Sequence, residues 1–300
     1  MSLELKNSKC RATIYPEYGG MLNHFLVKKK ETEIDVIYGY DSEQDIKANI
    51  GVDFRNVKLT PYPNRIKGGK YVFCEQEHAL AINFPNENNS IHGLLFDQPY
   101  EVITQSDDVL ILRYTVSKDK YQGYPFSYTI EMAYALLETG LACTTTILNT
   151  DSKTIPIADG FHPYFRLGNS VEDVKLKLPN VTQLLLEDGI PSMERKNYKP
   201  FSKNELIGQT FLDDCFEITD QDNAAETVLE KGDISISIKQ DTGQSKYNFL
   251  QVYTPPSRKC IAIEPMTSAP NCFNNKLGLI QLEAGKKIKL SYQFTVAVKQ

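Results

Sequence analysis

Runs of alternating polar and apolar residues are the feature that most limits what this chain can fold into. Four segments show this alternation, at residues 130–134, 174–178, 234–238 and 287–296. Side chains that alternate with period two lie on opposite faces of a β-strand, so one face packs on a core. Two segments rich in β-branched residues, 109–116 and 141–148, are also typical of strands. The sequence therefore predicts an all-β protein with many antiparallel strands.

Helical patterns are scarce, and nothing divides the chain into modules. Only residues 42–48 and 202–206 predict short helices. The sequence contains no Gly/Ser-rich linker, low-complexity tract or fixed-period repeat. Turn-forming sequences such as Tyr18-Gly19-Gly20 separate the predicted strands instead. We therefore expect one large antiparallel β-sandwich domain over residues 1–300.

Composition excludes several classes of function. The net charge is −5 and there is no long basic run, so we expect no nucleic-acid partner. No apolar stretch approaches the roughly 18 residues that a membrane-spanning helix needs. The first residues are charged and lack an apolar signal core, which favours a cytoplasmic location. The six cysteines are scattered without metal-ligand spacing, so we expect reduced, mostly buried thiols and no metal site.

Two of the four histidines stand in unusual surroundings. His162 lies in Asp-Gly-Phe-His-Pro-Tyr-Phe, where the following proline favours an extended backbone and the aromatic residues offer flat surface. His92 precedes Gly93, which permits a close approach of another backbone segment. A neutral imidazole exchanges protons readily near pH 7. His162 is therefore the stronger candidate for an acid–base group.

Other polar residues fall at the ends of apolar or turn segments. Asn64 and Arg65 end a proline-rich turn and offer donors to an oxygen-rich ligand. In an extended segment, Asp213 and Asp214 point to opposite faces, so only one of them faces a site. Glu264 ends an apolar run, and desolvation there raises the pKa of a carboxyl group towards neutrality.

Taken together and in order, these motifs resemble those of the aldose 1-epimerases, the galactose mutarotases. The resemblance extends from the Tyr18-Gly19-Gly20 turn to the last strand. The matching motifs are Asn64-Arg65-Ile66, Asn89-Ser90-Ile91-His92-Gly93, Phe161-His162-Pro163-Tyr164-Phe165, Leu212-Asp213-Asp214-Cys215-Phe216, Gln251-Val252-Tyr253, Glu264 and Leu282-Glu283-Ala284-Gly285.

The resemblance implies the supersandwich fold of galactose mutarotases and a cofactor-independent isomerase. It implies a glutamate base, Glu264, and a histidine acid, His162. The residues that would bind the oxygens of the sugar are Asn64, Arg65, His92, Tyr164, Asp213 and Gln251. The expected substrate is a free aldohexose that changes anomer by acid–base ring opening and closing. The formation of a homodimer is left open at this point.

Three alternatives stay open at this point. A hexose 6-phosphate 1-epimerase of the same fold needs converging cations, for which Arg55, Lys58 and Arg113 are the candidates. A carbohydrate-binding protein without activity needs no acid and base together. A glycoside hydrolase needs two carboxylates that flank the bond, a role that Asp213 and Glu264 would have to fill.

Overall fold

A computed structural model describes residues 1–220 and 224–299, and most of these residues lie in β-strands. The strands in chain order are β1 (Leu3–Lys6), β2 (Cys10–Tyr15), β3 (Met21–Lys29), β4 (Thr32–Asp35), β5 (Lys58–Leu59), β6 (Arg65–Lys67), β7 (Lys70–Phe73), β8 (Gln76–Ala79), β9 (Asn89–Ile91), β10 (Glu101–Gln105), β11 (Val109–Val116), β12 (Tyr128–Leu136), β13 (Gly140–Asn149), β14 (Ile155–Ile157), β15 (Gly160–Phe161), β16 (Tyr164–Phe165), β17 (Lys175–Lys177), β18 (Val181–Glu187), β19 (Ile190–Asn197), β20 (Glu205–Leu206), β21 (Asp213–Ile218), β22 (Ala224–Lys231), β23 (Ile234–Asp241), β24 (Phe249–Tyr253), β25 (Ile261–Met266), β26 (Ile280–Leu282) and β27 (Lys287–Val298). The helices are α1 (Glu43–Asp53), α2 (Cys272–Asn275) and a single 3-10 turn, Pro85–Glu87.

Two large antiparallel sheets form the body of the protein. One has nine strands in the order β10-β11-β12-β13-β27-β23-β22-β17-β20. The other has eight strands and runs β19-β18-β21-β24-β25-β15-β5, with β16 also paired to β25. A separate four-stranded sheet contains β1 to β4 in order. The predicted all-β, antiparallel sandwich fold is confirmed.

The two large sheets pack through the apolar faces that alternation creates. In β27 every second residue from Leu290 to Val296 is buried, while the residues between them are more exposed. Phe161 of the eight-stranded sheet contacts the ring of Tyr292 at 4.8 Å between centroids, and Phe165 contacts Phe294 at 5.4 Å. These aromatic contacts join the sheets, because burying each ring removes a large apolar area from water.

The predicted strands are all present, but only one of the two predicted helices is. Helix α1 begins after Ser42, whose hydroxyl accepts a hydrogen bond from the Asp45 N–H at 3.1 Å. The prediction of a helix at residues 202–206 is wrong. Glu205–Leu206 forms strand β20 at the edge of the nine-stranded sheet, where it pairs with β17. So short a segment does not nucleate a helix by itself, and the sheet edge satisfies its backbone groups.

Two further features of the described structure are the short helices and the unpaired cysteines. None of the helices in the described ranges has the length and apolar character needed to cross a bilayer. Five of the six cysteines, all except Cys74, are buried, and all six are free thiols. This matches the expectation of reduced, mostly buried thiols.

Candidate functional site

One face of the eight-stranded sheet carries a row of polar side chains. In the pairing of β24 with β25, Gln251 lies opposite Glu264, and in the pairing of β21 with β24, Asp213 lies opposite Tyr253. Because side chains alternate along each strand, these four residues project from the same face. Asp214 points the other way and accepts a hydrogen bond from Gln183 at 2.6 Å. Of the two adjacent acids, Asp213 is the one that faces the site.

A second wall comes from the segment between β15 and β16. The backbone N–H of His162 donates to the carbonyl of Val57 at 3.0 Å, and the Tyr164 ring stacks on the imidazole with 4.8 Å between centroids and 22° between planes. Pro163 separates the two residues and prevents regular ladder pairing there. The expectation that Phe165 also offers a surface beside the imidazole is wrong, since Phe165 is fully buried in the core.

The third wall contains Asn64, Arg65 and His92. Asn64 and His92 both adopt left-handed backbone conformations, with φ of 55° and 61°, and the His92 N–H donates to the Asn64 carbonyl at 2.9 Å. A Cβ on Gly93 would lie 2.1 Å from the carbonyl oxygen of Thr60, so only glycine fits there. This packing brings the His92 ring within 5.1 Å of the His162 ring, centroid to centroid.

The three walls enclose one cavity of about 410 Å³ that all the sequence-predicted site residues line. It has the size of a small-ligand pocket. The predicted residues at its surface are Asn64, Arg65, His92, His162, Tyr164, Asp213, Gln251 and Glu264. The sequence did not single out several others that line it, namely Val52, Asp53, Phe54, Phe84, Glu87, Ile91, Tyr253, Pro255 and Pro256.

His162 and Glu264 form a close pair at the back of this cavity. Nε2 of His162 lies 3.5 Å from Oε1 of Glu264, and both side chains are buried. Burial raises the pKa of Glu264 well above its usual range and lowers the pKa of His162 to about 3. Burial therefore favours the form of the pair in which the Glu264 carboxyl group is protonated and the imidazole is neutral over the ionised form.

Several buried polar atoms in the cavity have no hydrogen-bond partner within residues 1–220 and 224–299. They are Nδ1 of His92, Nδ1 of His162, Oε1 of Gln251 and Oε2 of Glu264. An unpaired buried polar atom costs about 1–3 kcal/mol, so a group of them marks a surface that a polar ligand or water satisfies. The ligand chemistry that fits is one rich in hydroxyl groups.

The remaining polar side chains are held in place by one another. Gln251 donates from Nε2 to Oδ1 of Asp213 at 2.8 Å. Nε of Arg65 donates to Oε2 of Glu87 at 2.6 Å, and its NH1 donates to Oδ1 of Asn64 at 3.2 Å. Planar guanidinium–carboxylate pairs fix orientation better than single contacts do. Glu87 lies in a segment that the sequence indicates only as a turn, so its role in the site was missed.

Asn56 is a second residue that sequence reasoning missed. It is buried, and its Oδ1 accepts from the Tyr164 N–H at 2.8 Å while its own N–H donates to the His162 carbonyl at 3.0 Å. Its Nδ2 donates to the Tyr38 carbonyl at 3.0 Å. Asn56 thus clamps the backbone on both sides of Pro163 and sets the position of the imidazole. In the structure Asn56 has a φ of 60°, a left-handed backbone conformation that asparagine tolerates. No pattern in the sequence indicates this role.

The three cations considered for phosphate binding do not converge. Lys58 is fully buried in the core, where it pairs with Asp159 and donates to Oγ1 of Thr145 at 2.8 Å. NH2 of Arg55 lies 2.7 Å from Oδ2 of Asp53, and Arg113 lies on the nine-stranded sheet with Glu131. The suggestion that these side chains form one anion site is therefore wrong, because each is neutralised by a different acid.

Glu264 should destabilise the fold as pH rises, and Glu264→Gln should remove this effect. Above the ordinary glutamate pKa of 4.5, the unfolded chain loses the Glu264 proton while the folded protein keeps it. Unfolding of the wild type is thus favoured by up to about 1.4 kcal/mol per pH unit until the raised pKa is reached. Urea denaturation at pH 5 and pH 8 measures this. An equal stability difference between variant and wild type at both pH values would contradict it.

Metal ligands are not grouped in the part of the chain that the structure describes, where no set of three His, Cys, Asp or Glu side chains is placed to hold an ion. The cavity offers the imidazole and carboxyl groups of His162 and Glu264, the amide groups of Asn64 and Gln251, and the guanidinium group of Arg65. They are suited to binding hydroxyl groups and moving protons between them.

Comparisons with known proteins concern the sequence and the fold of the whole chain. The sequence model of the family described as aldose 1-epimerase matches residues 1–295. The uncharacterized protein YihR of Escherichia coli is 28% identical over 243 residues, which cover 78% of this chain and 76% of YihR. A second E. coli protein, the uncharacterized YphB, is 27% identical over 121 residues, which cover 40% of each chain.

Solved structures show the same fold at low sequence identity. A galactose mutarotase-like protein of Clostridium acetobutylicum superposes with a TM-score of 0.86 at 18% identity, covering 99% of this chain and 95% of that one. A GalM/aldose epimerase homologue of C. elegans superposes with a TM-score of 0.87 at 17% identity, covering 100% and 99% of the two chains.

Proposed function

The chain belongs to the aldose 1-epimerase family, and from that premise we propose that it is a mutarotase acting on a free aldohexose. The observation that carries the proposal is the buried His162–Glu264 pair, with 3.5 Å between Nε2 and Oε1, at the back of a cavity of about 410 Å³. An acid and a base held this close together are what ring opening of a hemiacetal requires, whereas sugar binding alone does not need them.

The proposed reaction exchanges two protons. The reaction starts with transfer of the pair's proton from Glu264 to His162, whose Nε2 lies 3.5 Å from Oε1. The Glu264 carboxylate then takes the proton of the anomeric hydroxyl while the protonated His162 gives one to the ring oxygen, and the bond between C1 and the ring oxygen breaks. The open aldehyde rotates about its C1–C2 bond, and the reverse transfers close the ring on the other face. Ring opening leaves Glu264 protonated and His162 neutral, which is the form that burial favours.

The other predicted residues would orient the sugar. We assign hydrogen bonds to its hydroxyl and ring oxygens to the polar side chains that line the cavity, Asn64, Arg65, His92, Tyr164, Asp213 and Gln251. The buried Nδ1 of His92 and Oε1 of Gln251, which lack partners in the described ranges, are the atoms with most to gain from such bonds. Fixing the ring keeps both proton transfers in line.

Proton NMR of freshly dissolved α-anomers tests the proposal directly. Glucose and galactose are the first sugars to try, and the anomeric signals report equilibration with and without the protein. We expect the protein to accelerate equilibration in proportion to its concentration. An unchanged rate for every aldohexose tested would rule the activity out.

We expect the free sugar to be preferred over its 6-phosphate. The candidate cations Arg55, Lys58 and Arg113 are each paired with a different acid, so these three do not gather positive charge for a dianion. The ratio of kcat/KM for glucose to that for glucose 6-phosphate, measured at low and high salt, checks this. A tenfold preference for the phosphate, equivalent to about 1.4 kcal/mol, would move the protein to the phosphate-specific branch, above all if added salt weakened it.

Asn56→Ala should lower kcat on the order of 10- to 100-fold with a smaller change in KM, because the side-chain hydrogen bonds to the Tyr164 N–H and the Tyr38 carbonyl, which position the segment that carries His162, are lost. Asn56→Gly removes the same bonds but tolerates the left-handed backbone, so it separates strain from positioning. The matched control is Asn149→Ala, since Asn149 is equally buried and bridges backbone groups far from the site. Equal kcat losses in the Asn56 and Asn149 variants would contradict a positioning role.

A further inference from the structure

A buried ion pair links the two large sheets. Lys58 of β5 and Asp159, the residue before β15, are both fully buried, and Nζ of Lys58 donates to Oδ2 of Asp159. Nζ also donates to Oγ1 of Thr145 on β13 at 2.8 Å, and the Tyr247 hydroxyl donates to the same Oδ2 at 2.8 Å. Because β13 belongs to the nine-stranded sheet and β5 to the eight-stranded sheet, these polar contacts join one sheet to the other.

The ion pair adjoins the backbone segments that carry His162 and Glu264. Strand β15 lies between β5 and β25 in the eight-stranded sheet. The Asp159 N–H donates to Oγ1 of Thr267 at 2.9 Å, and the Thr267 N–H donates to the Asp159 carbonyl at 2.8 Å. His162 follows Asp159 by three residues, and Glu264 precedes Thr267 by three residues. A shift of Asp159 would therefore move both segments relative to each other.

Lys58 has two further connections to the segment that carries His162. It lies opposite Phe161 in the pairing of β5 with β15, and its Nζ lies 3.7 Å from the centroid of the Phe161 ring, a distance at which the ring face attracts a cation. The preceding residue, Val57, accepts the hydrogen bond of the His162 N–H at its carbonyl, at 3.0 Å. The position of the imidazole thus depends on the position of β5, to which the charge of Lys58 contributes.

Stability alone does not account for this ion pair. Burial lowers the pKa of Lys58 to about 8 and raises the pKa of Asp159. Both shifts go against the ionised forms, because the attraction between two buried charges only partly offsets their loss of hydration. Apolar side chains of similar volume are often as stable in such a place. A buried ion pair does require a defined arrangement of the groups around it, since each charge needs its hydrogen-bond partners.

We infer that Lys58 and Asp159 are positioning residues, which hold the strands on both sides of β15 at the spacing that sets the distance between His162 and Glu264. The inference rests on the mutarotase activity proposed above. Neither Lys58 nor Asp159 lines the cavity, so neither is placed to touch a sugar there. Nε2 of His162 and Oε1 of Glu264 are 3.5 Å apart, and a displacement of reacting groups by about 1 Å lowers a rate by about 10²-fold. The expected effect of the ion pair is therefore on kcat rather than on KM.

The test replaces the ion pair by apolar side chains of similar size, in the double variant Lys58→Met/Asp159→Leu. We expect this variant to fold, with kcat for mutarotation lowered about 10- to 100-fold and KM changed by less than about threefold. Nitrogen-15 NMR of the imidazoles is a readout independent of turnover. The His162 signals, assigned with His162→Asn, should shift, while those of His24, which is bonded to other residues, should not. Wild-type kcat, or unshifted His162 signals, would overturn the inference.

Asn149→Ala is the control for a general loss of stability. Asn149 is buried, and its side chain bonds to backbone groups away from the cavity. This variant should keep the kcat of the wild type even where urea denaturation shows that it is less stable. A loss of kcat equal to that of the double variant would mean that lowered stability, not positioning, explains the effect, and the inference would fall.

Two milder variants decide the matter should the double variant not fold. Tyr247→Phe and Thr145→Val each remove one hydroxyl group that bonds to the ion pair and nearly keep the shape of the side chain. Each should lower kcat by about threefold and leave KM unchanged. Wild-type kcat in both would overturn the positioning role. If the wild type accelerates no sugar, the proposed mutarotase activity fails, whereas the His162 signals still report whether the ion pair positions the imidazole.

Discussion

Glu264→Gln is expected to lower kcat for mutarotation by about 10²- to 10⁴-fold, the usual contribution of one well-placed acid–base group. The amide keeps the shape of the carboxyl group and its place opposite Gln251 in the pairing of β24 with β25, so the fold and the cavity remain. It cannot accept the anomeric proton. We expect KM to change much less than kcat, because the lost interaction belongs to the transition state.

The measurement is polarimetry of fresh α-glucose or the preferred sugar, with the background rate determined in the same buffer. Glu217→Gln is the matched control, because Glu217 lies on β21 of the same sheet but pairs with Arg195 outside the cavity. Near-wild-type kcat in the Glu264 variant would remove Glu264 from the chemistry.

His162→Asn is expected to lower kcat by a similar factor, about 10²- to 10⁴-fold, and His92→Asn by much less. The two rings are neighbours, with 5.1 Å between centroids, so the pair of variants compares chemistry with positioning at nearly the same place. Asparagine retains a hydrogen-bond donor but cannot deliver a proton to the ring oxygen. In His92→Asn the remaining donor still binds a hydroxyl, so the main change is a higher KM.

The pH dependence of kcat/KM is a further test of the roles of these residues. A residue with only a structural role would not change this pH dependence. Burial lowers the pKa of His162 to about 3, so a second proton binds to the pair only at low pH. We expect kcat/KM of the wild type to stay level as the pH falls through 6.5, where an ordinary histidine titrates, and to decline at lower values. A larger loss of kcat in His92→Asn than in His162→Asn would mean that the two roles are exchanged.

Much of the site follows from local patterns in the sequence. Alternation predicts that only one of Asp213 and Asp214 faces the site, and the structure shows that it is Asp213. Gln251 and Glu264 lie at neighbouring positions once their strands pair. Gly93 is likewise interpretable, because glycine before a turn signals a close backbone approach. The strand at Val109–Val116 has the same bounds in the sequence pattern and in the structure.

Other parts depend on contacts between distant segments, which no local pattern contains. Asn56 contacts residues more than a hundred positions away, and Glu87, in the 3-10 turn, owes its role to Arg65 on strand β6. The sequence offers Lys58 as a candidate for phosphate binding, yet it is buried beside Asp159. Composition gives the charges of Arg55, Lys58 and Arg113, but not the acids with which they pair.

The place of β27 in the nine-stranded sheet has a consequence for how the protein is made. This late segment lies between β13 and β23, so the middle of the sheet stays open until residue 298 has left the ribosome. At about 5–20 residues per second, synthesis from Asn149 to Val298 takes roughly 7 to 30 s. During that time β13 presents an unpaired edge, the kind of surface on which other chains aggregate. The gap that β27 fills between β13 and β23 is thus the part of the nine-stranded sheet that stays open to such pairing until the end of synthesis.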